Sequence, residues 1–305
     1  MNLPAPEHSV VTPQCAANSD LLVLAVSSYR EPGGFQVIDL DSGTVRLTRE
    51  ANLAGINPGT LVSPTSIRLP ARDGVSLQGL LYLPSVPTAN PPPVVFFVHG
   101  GPTSQARPTF SPVVQYHLSR GMAVFQPNVR GSTGFGFTYL SLDDRRKRLD
   151  SIRDLVDMLK GLGERGLVDT ANAAVVGGSY GGYAVNAVLA EYPGVFKVGA
   201  AMFGVADWVT ALEVASPALR ASDRIEYGDI TEPEWRAFYT RNSPIHNANR
   251  IDVPVLYSHG VMDPRIDIAE TEKMVKTLRA NGVEAPFVRI PHEGHGWSKL
   301  KNQLF

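Results

Sequence analysis

Six short apolar runs between residues 93 and 290 alternate with segments of helical periodicity. In residues 150–163, apolar side chains recur three or four positions apart, as on one face of a helix. The runs themselves carry few polar residues, which is typical of strands that helices cover on both faces. Strands and helices that alternate in this way build a parallel sheet. The sequence therefore predicts an α/β fold, with a mostly parallel sheet and helices on both of its faces.

The first 60 or so residues follow a different pattern. Apolar or alternating runs at residues 20–30, 35–41 and 44–50 are separated by Pro-Gly-Gly and Asp-Ser-Gly, which are turn signals. They predict a short N-terminal β-meander of three strands. Because three strands bury little apolar surface alone, we expect this segment to pack on the main body or to belong to something larger.

Size and charge limit the classes of protein that fit. The 305 residues, 43% of them hydrophobic, suffice for one large α/β domain with some additional material. The formal net charge is -1 and the pI about 6.7, so no basic surplus indicates a nucleic-acid partner. We interpret the mixed charges of residues 143–148 as a solvated surface segment.

The cellular compartment follows from three further features of the sequence. The single cysteine, Cys15, excludes an intrachain disulfide and fits a reducing compartment. The N-terminal residues lack the positive region and apolar core of a signal peptide. No stretch approaches the roughly 18 apolar residues that a membrane span needs. We therefore expect a soluble, cytoplasmic protein without a membrane partner.

Residues 177–181 read Gly-Gly-Ser-Tyr-Gly and join an apolar run to a helical segment. The G-x-S-x-G pattern is that of a nucleophile elbow, in which a strained strand-to-helix turn lifts the serine above a sheet. A lone match is weak, but here a strand, a helix and a parallel sheet are all predicted around it. The pattern therefore predicts Ser179 as the nucleophile and the backbone amide of Tyr180 as an oxyanion donor.

A nucleophilic serine needs a histidine base and a carboxylate that orients the base. In the α/β-hydrolase fold these follow the serine in the order Asp or Glu, then His, each beyond a later strand. Asp263 follows the fifth apolar run and His295 the sixth. Asp267 is the weaker alternative, because it lies at a predicted helix start, where aspartate caps. His292 is the weaker alternative base, because it follows its strand directly, whereas His295 lies between two glycines.

The other histidines are weaker candidates for catalysis, and the sequence contains no metal-binding motif. His259 ends the fifth apolar run and is expected to be structural, and His8, His117 and His246 have no catalytic context. No H-E-x-x-H motif, histidine pair or cysteine cluster occurs in the sequence. We therefore expect neither a metal nor another cofactor.

A second oxyanion donor is expected in the loop after the first long apolar run, which reads His-Gly-Gly-Pro at residues 99–102. The backbone amide of either Gly100 or Gly101 could point at the substrate carbonyl oxygen. Pro102 has no amide hydrogen and cannot contribute. The sequence leaves the choice between the two glycines open.

A series of segments from about Ser63 to the end resembles the prolyl oligopeptidase family of serine peptidases (family S9). The segments are DGVSLQGLLYLP (73–84), VHGGP (98–102), QPNVRGSTGFG (126–136), GGSYGGY (177–183), NSPI (242–245), VPVLYSHGVMDPRI (253–266) and HEGHGW (292–297). They follow in the family's order at familiar spacing. The resemblance implies an α/β-hydrolase fold with Ser179, Asp263 and His295 as the triad and the Tyr180 amide as an oxyanion donor.

The residue before the glycine pair narrows the resemblance further. Prolyl oligopeptidases and dipeptidyl peptidases proper carry a tyrosine where this chain has His99, so strict cleavage after proline is not expected. The His-Gly-Gly-Pro and Gly-Gly-Ser-Tyr-Gly-Gly segments look like the acylaminoacyl-peptidase branch. In this family the arginine at position 130 usually ties loops together near the site, and substrate contact is the alternative role for Arg130.

Three residues after the fourth apolar run are candidates for an acyl or side-chain pocket: Phe203, Val205 and Trp208. Core packing is an equally good interpretation of Phe203, so Trp208 is the better candidate.

The resemblance also implies a division of the chain and a function. Full family members place a β-propeller before the hydrolase domain. Residues 1–62 resemble a last propeller blade, and residues 63–305 the catalytic domain. We expect hydrolysis of peptide, acyl-aminoacyl or ester bonds through an acyl-enzyme, with a short peptide or small molecule as substrate. A small-molecule carboxylesterase and a catalytically inactive binding module are the alternatives, and the strand edges of an isolated blade leave homo-oligomer formation open.

Overall fold

The computed structural model describes residues 9–15, 18–49 and 52–303, so His8 lies outside the described residues. The chain divides into two compact units. One unit comprises Met1–Ser66, Leu80–Pro92 and Arg107–Val124, and the other comprises Ile67–Gly79, Pro93–Ala106 and Phe125–Phe305. The predicted division at residues 62 and 63 stays a prediction.

Four strands near the N-terminus form an antiparallel sheet in chain order. They are β1 (Ser9–Cys15), β2 (Leu21–Ser28), β3 (Glu31–Asp39) and β4 (Val45–Arg49). On one face, the side chains of Leu22, Leu24, Val26 and Ile38 form a buried apolar cluster. The predicted β-meander is confirmed, with one strand more than the sequence indicated.

Strand β1 is the addition. It contains Pro13, which cannot donate a hydrogen bond, so the sequence pattern gave no strand signal there. Proline is tolerated at the edge of a sheet, and β1 occupies an edge beside β2. Its register pairs Val11 with Val26, and Val11 packs against the apolar cluster. Cys15, at the end of β1, is exposed with a free thiol.

The second sheet contains eight strands. In chain order they are β5 (Thr65–Pro70), β6 (Ser76–Tyr82), β7 (Pro93–Val98), β8 (Ala123–Asn128), β9 (Asp169–Gly178), β10 (Val198–Met202), β11 (Val255–Gly260) and β12 (Phe287–Ile290). Across the sheet their order is β5-β6-β8-β7-β9-β10-β11-β12. Strands β7, β9, β10, β11 and β12 pair in parallel, which confirms the mostly parallel sheet. The carboxyl ends of these five strands therefore meet at one edge, where ligands bind in open α/β sheets.

The helices follow the strands as the sequence predicts. They are α1 (Pro112–Ser119), α2 (Phe137–Leu140), α3 (Arg148–Glu164), α4 (Tyr180–Glu191), α5 (Trp208–Val214), α6 (Pro217–Tyr227), α7 (Pro233–Asn242), α8 (Ile268–Ala280) and α9 (Leu300–Gln303). Short 3₁₀ turns lie at Pro58–Thr60, Ser141–Asp143, Arg145–Lys147 and Pro244–Arg250. The periodic segment at 150–163 is helix α3. Helices α4 and α8 were also predicted, whereas the other helices were not; α6 and α7 are short and largely polar. Among the helices of the described residues, none combines the length and the hydropathy that a membrane crossing needs.

The charged segment at residues 143–148 is partly buried, so its interpretation as a solvated surface was wrong for two of its members. Asp143 and Arg148 are both buried and form an ion pair with each other. Two 3₁₀ turns precede helix α3 here and direct both side chains inward. A buried charge is tolerated when an opposite charge compensates it. Arg146 and Lys147, between them, are exposed as predicted.

A second buried arginine, Arg130, ties the loop after β8 to two other elements. Its guanidinium donates to Asp154 of helix α3 at 2.8 Å and to Asp73 of the turn between β5 and β6, also at 2.8 Å. The backbone N–H of Arg130 donates to the Asp154 carboxylate as well. Carboxylates therefore occupy both hydrogen-bonding edges of the guanidinium. This arrangement fits the loop-tying role of Arg130 better than contact with substrate.

We expect Asp154→Ala to lower the free energy of unfolding by about 3–5 kcal/mol, because it leaves the buried Arg130 without its main partner. Urea denaturation followed by circular dichroism measures this change. Glu164→Ala, on the same helix, is the matched control: Glu164 forms an exposed 3.6 Å ion pair with Lys160. Its effect should stay within about 0.5 kcal/mol. Equal effects of the two substitutions would contradict the role assigned to Arg130.

Candidate active site

The turn between β9 and α4 holds Ser179 in a strained conformation, with φ +59° and ψ -122°. Non-glycine residues rarely adopt positive φ, at a cost of about 1–3 kcal/mol. The neighbouring glycines make the turn sterically feasible. A Cβ on Gly177 would lie 2.5 Å from the carbonyl carbon of Gly181, and one on Gly181 would collide with the carbonyl oxygen of Val98 on β7. Only glycine therefore lets the helix start this close to the sheet.

The structure brings Ser179, Asp263 and His295 together in one hydrogen-bonded chain. Asp263 follows β11 and His295 follows β12, at the same edge of the sheet as Ser179. The Nδ1 atom of His295 lies 2.7 Å from Oδ2 of Asp263, and Nε2 lies 2.9 Å from Oγ of Ser179. A carboxylate can only accept, so Nδ1 carries the hydrogen. Nε2 is then free to accept the hydroxyl proton of Ser179.

Four donors surround the Asp263 carboxylate or lie close to it. The backbone N–H groups of Arg265 and Ile266 donate to Oδ1 at 2.8 and 3.1 Å. His295 donates to Oδ2, and Nε2 of the buried His259 lies 3.3 Å from the same oxygen. Burial raises the pKa of Asp263, but hydrogen bonds from His259, His295, Ile266 and Arg265 outweigh it and hold the pKa well below its usual range. Asp263 therefore stays ionised at neutral pH.

His259 supports Asp263 from beneath, which agrees with the structural role expected for it. Its ring is fully buried, with Nδ1 2.8 Å from Oγ1 of Thr271 and Nε2 3.0 Å from the carbonyl oxygen of Ile266. The sequence analysis did not connect this histidine with Asp263. The four-residue spacing between them, across the end of β11, is the signal that could have done so.

The alternatives from the sequence lie elsewhere. Asp267 accepts a hydrogen bond from the Ala269 N–H at 2.9 Å and caps helix α8, as predicted. His292 is exposed, with a φ of +61°. His246 is about half exposed, and its Nε2 lies 3.7 Å from Asp207. His117 lies on helix α1, next to the ring of Tyr116.

The loop that carries His295 is held by Glu293, whose role the sequence analysis missed. Glu293 is buried and accepts hydrogen bonds from Ser298, from the backbone N–H of Lys299 and from the side chain of Asn302. Its backbone carbonyl accepts from the N–H of Met262, next to Asp263. One residue therefore fixes the His295 loop internally and joins it to the Asp263 loop.

Two of the three predicted oxyanion donors, Tyr180 and Gly100, lie beside Ser179. Tyr180, whose backbone amide was predicted as a donor, is the first residue of helix α4. Gly100 approaches closely, since a Cβ on it would lie 3.4 Å from Cβ of Ser179. Gly101 has a φ of +127° and precedes Pro102 through a cis peptide bond.

His99 orients the peptide between the two glycines. Burial lowers the pKa of His99, so its imidazole is neutral at pH 7. Nδ1 lies 2.8 Å from the carbonyl oxygen of Gly100, and Nε2 lies 3.0 Å from Oγ of Ser132. In a trans peptide the carbonyl and the following N–H point in opposite directions. The N–H of Gly101 therefore points away from His99.

The pocket candidates divide between the site and the interior. Phe203 lies at the site, with its ring centroid 4.8 Å from that of His295. Trp208 is only 5% exposed and packs among buried tyrosines, with ring centroids 4.4 Å from Tyr227 and 4.9 Å from Tyr183. Val205 is also buried. The structure thus places Phe203, the less favoured candidate, nearer to the site residues, and Trp208 in an aromatic cluster.

Three carboxylates lie close enough together to be compared with the ligands of a metal ion. Ligand oxygens of Asp143, Asp144 and Glu226 lie within 4.8 Å of one another. The guanidinium of the buried Arg148 pairs with both Asp143 and Glu226 and lies above the ring of Tyr227 at 4.5 Å. The arginine therefore supplies the positive charge that this cluster needs.

The sequence matches the prolyl oligopeptidase family over residues 108–304. The chain belongs to that family. This confirms the resemblance, and with it the α/β-hydrolase fold and the assignment to the serine peptidases. Because the match covers both the serine turn and the histidine loop, it spans all three residues of the hydrogen-bonded chain.

Curated relatives and solved structures agree with this assignment. The chain is 29% identical to dipeptidyl aminopeptidase BIII of Pseudoxanthomonas mexicana over 92% of its own length and 42% of the relative's. It is 27% identical to acylamino-acid-releasing enzyme 1 of Oryza sativa subsp. japonica over 70% of its length and 28% of the relative's. A puromycin-hydrolyzing peptidase of Mycobacterium tuberculosis superposes with a TM-score of 0.85 at 26% identity, over 91% of this chain and 43% of that one. The chain therefore spans less than half the length of these relatives.

We expect the stabilising effect of Glu293 to depend on pH. Hydrogen bonds, the largest from Asn302, lower the pKa of Glu293 from 4.5 to about 2. A lowered pKa stabilises the folded state above pH 4.5, and the effect is lost as the pH falls towards 2. Glu293→Gln should therefore lower the urea midpoint at pH 6, and the difference from wild type should shrink as the pH approaches 3. Glu284→Gln, an exposed control, should show no such trend, and a pH-independent difference for Glu293→Gln would contradict the assignment.

Proposed function

We propose that the protein is a serine hydrolase that cleaves acyl bonds through a covalent acyl-enzyme formed on Ser179. The observation that carries this proposal is the continuous hydrogen-bonded chain from Asp263 through His295 to Ser179, with distances of 2.7 and 2.9 Å. Nucleophile, base and orienting carboxylate lie within hydrogen-bond reach, as nucleophilic catalysis requires. The strained turn at Ser179 adds support, because such strain concentrates at functional sites.

In the first half of the reaction, Oγ of Ser179 forms a bond to the acyl carbon while its proton moves to Nε2 of His295. The electron pair of the carbonyl bond moves to oxygen and creates a tetrahedral oxyanion. When this intermediate collapses, the bond to the leaving group breaks and the leaving group takes the proton from Nε2. The ionised Asp263 stabilises the imidazolium and keeps Nδ1 protonated throughout.

In the second half, water attacks the acyl carbon and gives its proton to Nε2. Collapse of the second tetrahedral intermediate releases the acid and returns the proton to Ser179. In both halves the Tyr180 amide and the amide of Gly100 or Gly101 would bind the oxyanion. One such donor is worth about 100- to 1000-fold in rate.

The substrate class follows from the leaving group that the site can protonate. An amide has a poor leaving group and needs a well-placed acid, and His295 is held by Asp263 on one side and by its glycine-flanked loop on the other. Relatives named dipeptidyl aminopeptidase, acylamino-acid-releasing enzyme and puromycin-hydrolyzing peptidase support an amide substrate. We therefore propose short peptides or acyl-aminoacyl amides, with esters as the chemically easier alternative.

Matched p-nitrophenyl acyl esters and acyl-aminoacyl or dipeptidyl p-nitroanilides test this proposal. Initial rates should show anilide hydrolysis by the wild type, and Ser179→Ala should lower kcat by about 10⁴-fold or more on both substrate types. Ester hydrolysis without anilide hydrolysis would replace the peptidase by an esterase that uses the same residues. Hydrolysis that survives Ser179→Ala would refute the mechanism altogether.

A pair of histidine substitutions in one loop tests the assignment of the base. His295→Gln should lower kcat by about 10⁴-fold, because Ser179 then has no group to take its proton. His292→Gln changes an exposed residue three positions earlier and should leave kcat within about 3-fold of wild type. Thermal unfolding of both variants checks that the fold is retained. A larger loss from His292→Gln than from His295→Gln would reverse the assignment.

A further inference from the structure

The backbone of Phe203 is unusual for an aromatic residue. Its φ angle is +38°, in a region that bulky side chains rarely adopt. Its N–H donates to the carbonyl of Ser258 on β11 at 2.9 Å, while the preceding Met202 accepts from the N–H of Ser179 at 3.0 Å. The chain therefore makes a strained turn directly beside the nucleophile. Backbone strain of this kind is a reason to look for a function of the side chain.

The side chain of Phe203 packs among groups of the active site. Its ring centroid lies 4.8 Å from that of His295 and 5.4 Å from that of Trp297, which meets it edge to face. The ring of His259, beneath Asp263, lies 6.3 Å away. On another side the ring abuts Gly178, where a Cβ would lie 3.0 Å from ring carbons. These neighbours hold the Phe203 ring against the imidazole.

The face of an aromatic ring is negative and attracts a positive charge that lies over it within about 6 Å of the ring centroid. The Phe203 and His295 rings are tilted by 59° at a centroid distance of 4.8 Å, which is within this range. In the mechanism proposed above, His295 is neutral in the resting enzyme and positively charged once it has taken the proton of Ser179. Attraction to the Phe203 ring is therefore stronger in the charged state. Only interactions that strengthen in this way on approach to the transition state accelerate a reaction.

We propose that Phe203 is a positioning residue whose ring stabilises the protonated form of His295, a role that rests on the proposed function of that histidine. The ring touches the base rather than the substrate. The strained backbone conformation of Phe203 accompanies the position of its ring against the imidazole of His295. This role differs from the pocket lining considered from the sequence, because it predicts an effect on His295 that is independent of the substrate.

Other charged and titratable groups around the imidazole stay the same when only the ring is altered. Asp263 accepts from Nδ1 of His295, and His259 lies behind Asp263. Glu293 and Lys299 belong to the same loop as His295 and are hydrogen-bonded within it. A change confined to the quadrupole of the Phe203 ring therefore isolates the contribution of the ring.

The decisive experiment replaces Phe203 by pentafluorophenylalanine, which keeps the size and shape of the ring but reverses its quadrupole. The same replacement at Phe238, which packs on Trp235 and Tyr239 of its own helix α7, is the matched control. Two readouts are compared with wild type. One is the pH profile of kcat/KM. The other is the NMR titration of the His295 Cε1 proton, assigned by its absence in His295→Gln.

The Phe203 replacement should lower kcat by about 2- to 30-fold and move the acid limb of the kcat/KM profile to lower pH. The titration midpoint of His295 should fall in parallel, because the protonated ring loses a favourable neighbour. Phe203→Tyr, which keeps the sign of the quadrupole, should retain the wild-type midpoint. The Phe238 replacement should change neither readout.

An unchanged His295 midpoint in the fluorinated Phe203 variant would overturn the proposal, even if the rate falls. The NMR readout needs no substrate, so it separates this proposal from the proposed function. If the wild type shows no hydrolysis that depends on Ser179, the proposed function fails. The titration still decides whether the Phe203 ring stabilises the protonated imidazole.

Discussion

The contact between Gly181 and the carbonyl of Val98 is the constraint on which the site depends. It lets helix α4 begin against strand β7 with no side chain between the two backbones. Ser179 is then lifted above the carboxyl edge of the sheet, where the loops that follow β11 and β12 also emerge. A larger residue at position 181 would separate helix from sheet and move Ser179 away from His295. The hydrogen bonds between Ser179, His295 and Asp263 therefore depend on the close backbone approach at Gly181.

The loops around the site are anchored by buried charge. Arg130 binds Asp154 and Asp73, and Arg148 binds Asp143 and Glu226. Surface loops are otherwise the most mobile parts of a fold. A buried ion pair adds little net stability, but breaking it is costly, so it penalises alternative arrangements of the segments that it joins. The two arginines therefore give a precise geometry to segments that lack regular secondary structure.

The sequence predicted the features that depend on local pattern. Ser179 stands out because its glycines are adjacent, and Asp263 and His295 because each follows a recognisable strand. The features it missed depend on distant partners. The burial of Arg148 requires Glu226 on helix α6, and strand β1 exists because β2 offers it an edge. The place of Phe203 is set by a turn with positive φ at that residue, which no propensity for phenylalanine indicates.

Ser179 and Phe203 are joined through the hydrogen bond from the N–H of Ser179 to the carbonyl of Met202, and both hold backbone angles that suit glycine. Replacing either by glycine would relieve strain. At position 203 the loss of the packed ring would outweigh that relief. At position 179 the side chain is small, so the relief of strain comes chiefly at the loss of the hydrogen bond between Oγ and His295. In a set of related sequences, glycine at position 179 would therefore mark chains that keep the fold without the hydrogen bond to the histidine at position 295.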